Sequence, residues 1–225
     1  DEALAEMELM MRTKCDAEFT CSVDMAIERG QFTDFDPKIE STSEFVGMLQ
    51  KEFPTVYDRM MQHGRRNISI STVAPTGTLS MLAQTSSGIE PVFLTSYTRR
   101  RKVMESTAET NVSFVDEMGD RWEEFTVFHP KLKKWMEISG NLDEKESPYV
   151  GSTAPEIDWM QRVKLQAMVQ KYVTHSISST INLPEDVSEG KVGNIYLEAW
   201  QAGVKGITVY RDGSRSGVLV STDDK

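Results

Sequence analysis

The chain has 225 residues and a formal net charge of −10, with 25 Lys and Arg against 35 Asp and Glu. That length is enough to bury one sizeable core, and an apolar share of 39% with nine Phe and four Trp excludes a disordered chain. The acidic balance excludes a nucleic-acid polymer or an anionic membrane as a general partner, because both demand a clustered positive field. An anionic small ligand held by backbone amides remains possible.

The first 29 residues read as one helix. Leu4, Met7, Met11, Cys15, Phe19, Val23 and Ile27 recur at steps of three and four, and Gly30 follows as the stop. Residues 31–37 form a connector, and 43–49 predict a short helix. Pro54 opens another, over 55–63, which Gly64 closes. Asn67 to Val73 alternates polar and apolar residues and is rich in β-branched side chains, so it predicts a strand. Ala74-Pro75-Thr76-Gly77-Thr78 follows, then Leu79 to Ala83, which can begin a helix. A second small-residue turn, Thr85 to Pro91, leads to the strand-like Val92-Phe93-Leu94. Arg99 to Lys102 is a basic run, read as a solvated face or as a contact for a partner half or a cofactor's phosphate.

Farther on, Thr110 to Glu117 predicts a helix, residues 122–136 hold aromatics without a clean period, and 140–155 reads as loop. A helix is expected over about 156–173. Ile177 to Ile181 reads as a strand ending in Asn182-Leu183-Pro184. Val192, Ile195, Tyr196, Ala199 and Trp200 make the clearest amphipathic stripe, with Gly203 as its stop. Gly206 to Tyr210 reads as a strand and Arg211 to Ser214 as a turn. Strands separated by helices indicate α/β construction.

Cys15 and Cys21 are the only cysteines. They form no disulfide framework and no zinc-ligand spacing, so both are expected to be structural or reduced thiols, with no metal bound. No apolar run approaches the roughly 20 residues of a membrane span, and no leader pattern opens the chain, so a cytoplasmic protein without membrane association is expected. The abrupt helical start suggests a piece of something larger.

The segment best suited to chemistry is Ala74-Pro75-Thr76-Gly77-Thr78. It lies between a predicted strand and a predicted helix, where unpaired amides and the helix dipole attract anions. Gly77 permits close approach of the backbone, Thr76 and Thr78 add hydroxyls, and Pro75 fixes the turn. The absence of a Lys after Gly77 argues against a Walker-type loop. The same pattern also suits an ordinary helix cap, and residue types alone leave both readings open.

Four ordered segments decide the matter by resemblance: Ser71 to Ser80, Thr85 to Pro91, His175 to Pro184, and Gly203 to Arg215. Together with Ala26 to Phe32 they resemble the second half of the class II, vitamin B12-dependent ribonucleotide reductases, across essentially the whole chain. The resemblance implies that residues 1–225 are a single partial domain. It would be the carboxy-terminal portion of a ten-stranded α/β barrel, supplying its later strands and helices. It implies that Pro75, Thr76, Gly77, Thr78 and Leu79 bind the phosphates of a ribonucleotide, di- or triphosphate, with Ser87, Gly88 and Tyr210 shaping the pocket.

It implies adenosylcobalamin as the cofactor of the complete enzyme. A thiyl radical there abstracts the ribose 3′ hydrogen, and the 2′ hydroxyl then leaves as water. The radical Cys belongs to an Asn-x-Cys-x-Glu loop that is absent from these residues, so no catalytic residue is expected here. The partner would be an amino-terminal half bearing that loop, and self-association is a further expectation. Class I relatives carry two adjacent tyrosines where this chain has Tyr210-Arg211, which favours class II. The rival readings are a non-catalytic nucleotide-binding or assembly module and a class I large-subunit relative.

Overall fold

A computed structural model describes residues 2–103 and 112–214. The chain divides into two compact units. Among the described residues, one holds 2–75, 158–181 and 187–209, and the other holds 76–103, 112–157, 182–186 and 210–214.

The first unit begins with helix α1, Glu2–Arg29, followed by the short α2, Pro37–Glu40, then α3, Glu44–Glu52, and α4, Pro54–His63. Its core joins Cys15, Phe19 and Val23 of α1 to Val46 and Leu49 of α3, Val56 and Met60 of α4, and Tyr172. The stripe on α1 departs from its expected course at one end. Ser22 and Ala26 are buried and Ile27 is 53% exposed. Each step of four residues overshoots a full turn by about 40°, so a stripe written in fours drifts round the helix until the residue one position earlier takes over. Gly30 ends the helix at φ +82, a conformation that suits glycine.

The expected strand over 67–73 does not form. Only Val73 makes a bridge, parallel, to Ile177. Side chains satisfy much of its backbone, and His175 N and Ser178 N donate to Ser71 O and Val73 O. The Arg65 guanidinium donates to Asn67 O at 2.7 Å and to Ile68 O, while Ile70 N and Ser71 N donate to Thr174 Oγ1 at 3.2 and 3.1 Å. Arg65 is itself held by Glu40 at 2.9 Å and lies over the Phe32 ring.

Later in the chain come α7, Trp159–Gln170, β4, Thr180–Leu183, α8, Glu189–Gln201, and β5, Thr208–Arg211. Asp158 caps α7 by accepting from Met160 N and Gln161 N at 3.0 and 3.1 Å. β4 and β5 pair. Thr208 N donates to Ser179 O, and Asp212 N to Leu183 O, so both strands advance together and run parallel, with α8 as the crossover. This is the α/β element that the alternation of strands and helices predicts.

The second unit contains helix α5, Gly77–Ala83, and an antiparallel sheet of order β1-β3-β2. Its strands are β1, Ser96–Lys102, β2, Phe114–Val115, and β3, Arg121–Phe128. The helix expected over 110–117 is replaced by β2 and a turn at 116–119, with Thr110 and Asn111 outside the described residues. Val92 to Leu94 forms no strand, and pairing begins four residues later at Ser96. The basic run lies on β1, with Arg100 bonded to Glu124 at 2.8 Å, Arg101 to Glu123, and Lys102 to Asp120. These are cross-strand neighbours or near neighbours in the register. Helix α6, Pro130–Ser139, completes the unit, capped by His129 Nδ1 accepting from Lys131 N at 3.2 Å. The described residues close no barrel.

Candidate substrate-binding loop

α5 is a seven-residue helix that starts at Gly77. Ser80, its only buried residue, donates its hydroxyl to Gly77 O at 2.8 Å, and Ser80 N donates to Thr76 O at 2.7 Å. These bonds shape the first turn from inside. Pro75, Gly77, Thr78 and Leu79 are exposed and Thr76 is half-buried, so the turn is not packed beneath other side chains. A Cβ built on Gly77 would meet nothing within 4 Å, and its φ is not in the left-handed region. Neither crowding nor backbone strain within the protein demands glycine there.

Thr76 occupies the N-cap position at φ −111 and ψ 42, yet its side chain caps no helix amide. Its Oγ1 accepts instead from Gly88 N at 3.0 Å, tying the second small-residue turn to the first. A hydroxyl has one proton and two lone pairs, so Thr76 keeps its proton for another acceptor. The first-turn amides of α5 receive no side-chain cap from Thr76, which leaves them able to serve an external anion. Gly88 sits at φ +55, a region that favours glycine, and Ser87 beside it is half-buried. Gln84 closes α5 in the left-handed conformation, and Thr85 N donates to Ser80 O at 3.0 Å. Tyr210 is half-buried on β5, followed by the exposed Arg211.

The lead-in to the loop involves residues that motif reading passed over. Thr174 receives Ile70 N and Ser71 N and donates to Ser71 O at 3.0 Å. Arg162, Gln166 and Gln170 are buried at four-residue spacing on α7. Gln166 Nε2 donates to Gly206 O at 2.7 Å, Gln170 Nε2 to His175 O at 2.8 Å, and Arg162 to Thr180 O. Three polar residues four apart on one helix face were the available signal.

The cysteines differ in environment. Cys15 is fully buried, and burial, with Glu18 adding to it, pushes its thiol up to about 12. Cys21 is exposed. Among the described residues no group of three His, Cys, Asp or Glu side chains is placed to hold a metal ion, and no helix is long and apolar enough to cross a membrane.

Residues 1–210 match the family model described as ribonucleotide reductase, barrel domain. The chain is 34% identical over 227 residues to the vitamin B12-dependent ribonucleoside-diphosphate reductase of Mycobacterium tuberculosis (strain CDC 1551 / Oshkosh), covering 99% of this chain and 29% of that protein. It is 34% identical over 155 residues to the protein of the same name from Thermoplasma acidophilum, covering 67% of this chain and 20% of that one. The vitamin B12-dependent ribonucleotide reductase of Rhodopirellula baltica is 27% identical over 173 residues, 72% of this chain and 17% of its own length. The chain thus spans less than a third of each of these curated relatives. With the model matched over nearly its whole length, the chain belongs to the ribonucleotide reductase barrel-domain family.

Proposed function

We propose that this chain is the substrate-phosphate-binding part of a vitamin B12-dependent ribonucleotide reductase, with Pro75, Thr76, Gly77, Thr78 and Leu79 gripping the phosphates. It contributes later strands and helices of a ten-stranded α/β barrel and works with an amino-terminal part carrying the radical Cys. The observation that carries the reading is the exposed first turn of α5, where Gly77 faces open space and the Thr76 hydroxyl leaves the helix amides uncapped. Charge-assisted hydrogen bonds from such amides are roughly twice as strong as neutral ones. Holding one end of the nucleotide keeps the ribose in place for hydrogen abstraction, which lowers the barrier by several kcal/mol when the reacting atoms sit at near-attack distance. Ser87, Gly88 and Tyr210 shape the pocket.

Adenosylcobalamin, the form of vitamin B12 that suits radical chemistry, would supply the initiating radical when bound. The thiols of this chain do not fit as its reaction partner, because Cys15 is sealed in the core with a raised pKa and Cys21 lies on the exposed side of α1. No step is therefore assigned to them. Tyr210 followed by Arg211 lacks the paired tyrosines of a class I relay, since a guanidinium has no accessible one-electron chemistry.

A second reading is a nucleotide-binding or assembly module without turnover of its own. Mixing the chain with a partner that bears the Asn-x-Cys-x-Glu loop, adenosylcobalamin and a dithiol reductant separates the two. Deoxyribonucleotide formed only in the mixture supports the reductase, while inactivity of a mixture that still binds nucleoside diphosphate supports the module.

A further inference from the structure

The residues that hold the lead-in to the loop belong to a different part of the sequence. Thr174 lies about a hundred residues beyond Ser71, and its single hydroxyl serves the backbone there three times. It accepts from Ile70 N at 3.2 Å and from Ser71 N at 3.1 Å, and it donates to Ser71 O at 3.0 Å. One proton and two lone pairs are all that a hydroxyl has, and a fourth group competes for them. Ser69 Oγ comes within 2.9 Å of the same oxygen.

Thr174 is itself fixed on both sides. Its carbonyl accepts from Lys205 Nζ at 2.7 Å, just ahead of β5. The next residue, His175, donates its amide to Ser71 O at 3.2 Å and has its carbonyl held by the 4%-exposed Gln170 at 2.8 Å. Two residues past Ser71, Val73 makes its bridge to Ile177 and accepts from Ser178 N at 3.1 Å. Pro75 then begins the loop with a fixed φ. The lead-in is thereby held at Ile70, Ser71 and Val73, and only Ala74 separates that anchorage from Pro75.

We propose that Thr174 is a positioning residue for the nucleotide-binding loop: its hydroxyl fixes the backbone that leads directly into Pro75. This rests on the reading of that loop as a phosphate site. The chemistry demands a hydroxyl, so Ser can replace Thr, whereas Val, which matches its shape, cannot.

The test measures adenosine diphosphate binding by calorimetry to the full 225-residue chain and to T174V, T174S and Q166L, well below the melting temperature of each. T174V is expected to raise Kd about ten-fold, because displacement of a positioning element commonly costs that much or more. T174S is expected to stay within about two-fold. Q166L removes a buried hydrogen bond to Gly206 in the same unit and is expected to lower Tm without changing Kd.

A readout that needs no variant is amide hydrogen exchange of the unsubstituted chain. Coupling is reciprocal, so adenosine diphosphate is expected to slow exchange at Ile70 and Ser71 as well as at Gly77 to Leu79. If the unsubstituted chain does not bind adenosine diphosphate, the loop reading fails and the role of Thr174 falls with it. If it binds but T174V binds equally well, or Q166L weakens binding as much as T174V, Thr174 alone loses its role. Protection confined to residues 77–79 would contradict it in the same way.

Discussion

The Thr76 hydroxyl accepts a hydrogen bond from Gly88 N at 3.0 Å instead of capping the helix that Thr76 begins. Threonine at an N-cap ordinarily satisfies an amide two or three residues on. Here the side chain is directed to a second turn, the helix start is left uncapped by it, and the threonine proton stays unspent. A loop built only for stability would use that hydroxyl locally. A loop built to receive an anion has reason to keep it.

Replacing Thr78 with Val removes an exposed hydroxyl beside Gly77, and replacing Thr76 with Val removes both its free proton and its tie to Gly88. Each substitution is expected to weaken nucleoside diphosphate binding by about 1.5–3 kcal/mol, the range for a hydrogen bond to a charged group. T76V is also expected to destabilise the 85–91 turn, visible as faster amide exchange at Gly88, while T78V leaves that amide unchanged.

Gly77→Ala separates folding from binding. The added methyl meets no protein atom within 4 Å, and the residue is helical with no positive φ. Stability is expected to rise by about 0.4–1 kcal/mol through the smaller entropy of the unfolded chain. Affinity for nucleoside diphosphate is expected to fall, because the methyl occupies the space through which a phosphate approaches the amides. Thermal unfolding and calorimetry on the same sample check both halves.

Arg65 and Glu40 form an ion pair with side chains only 11% and 12% exposed. Arg65→Met leaves the Glu40 carboxylate uncompensated and removes the guanidinium from Asn67 O and Ile68 O. A loss of about 3–5 kcal/mol is expected from denaturant unfolding, the usual cost of breaking one side of a buried pair.

Acid sensitivity is expected to involve Glu52. Its hydrogen bond from Lys171, opposed in part by burial and aided by Tyr172, holds its carboxyl below the usual value. A depressed carboxylate contributes stability that is present above the unfolded value of about 4.3 and lost as pH falls through the lower folded value. Glu52→Gln should flatten that part of the stability profile and cost about 1 kcal/mol or less at neutral pH, since Lys171 is 38% exposed and screened by solvent.

The two thiols should separate cleanly. Cys21 is expected to alkylate in the native chain near neutral pH, while Cys15, buried and raised to about 12, reacts only on unfolding. Mass spectrometry of iodoacetamide-treated protein, native and in guanidinium, gives the answer directly.

Helices were legible where their ends carry chemistry, as at Gly30, Gly64 and Gly203, because a stop residue acts locally whatever the rest of the chain does. Strands were not. The 67–73 segment has the composition of a strand, but it finds a backbone neighbour only near Ser71 and Val73, and its earlier part is met by the side chains of Arg65 and Thr174. β1 and β3 were missed for the opposite reason. Consecutive Arg–Glu pairs charge both faces, so no polar–apolar alternation marks the strands, and a run of four basic residues resembles a solvated face until Glu123 and Glu124 are brought opposite. The loop at Gly77 was legible as a turn before a helix. That Thr76 turns its hydroxyl to Gly88, twelve residues on, is a tertiary fact that no local pattern encodes.

The most direct measurement is an amide-resolved titration of the chain with adenosine diphosphate, with adenosine as the control that lacks phosphate. The amide resonances of Gly77, Thr78 and Leu79 should shift in a saturable way with the diphosphate and stay still with adenosine. Unmoved amides at those three positions while binding occurs elsewhere, or equal shifts with both ligands, would contradict a phosphate grip at this turn.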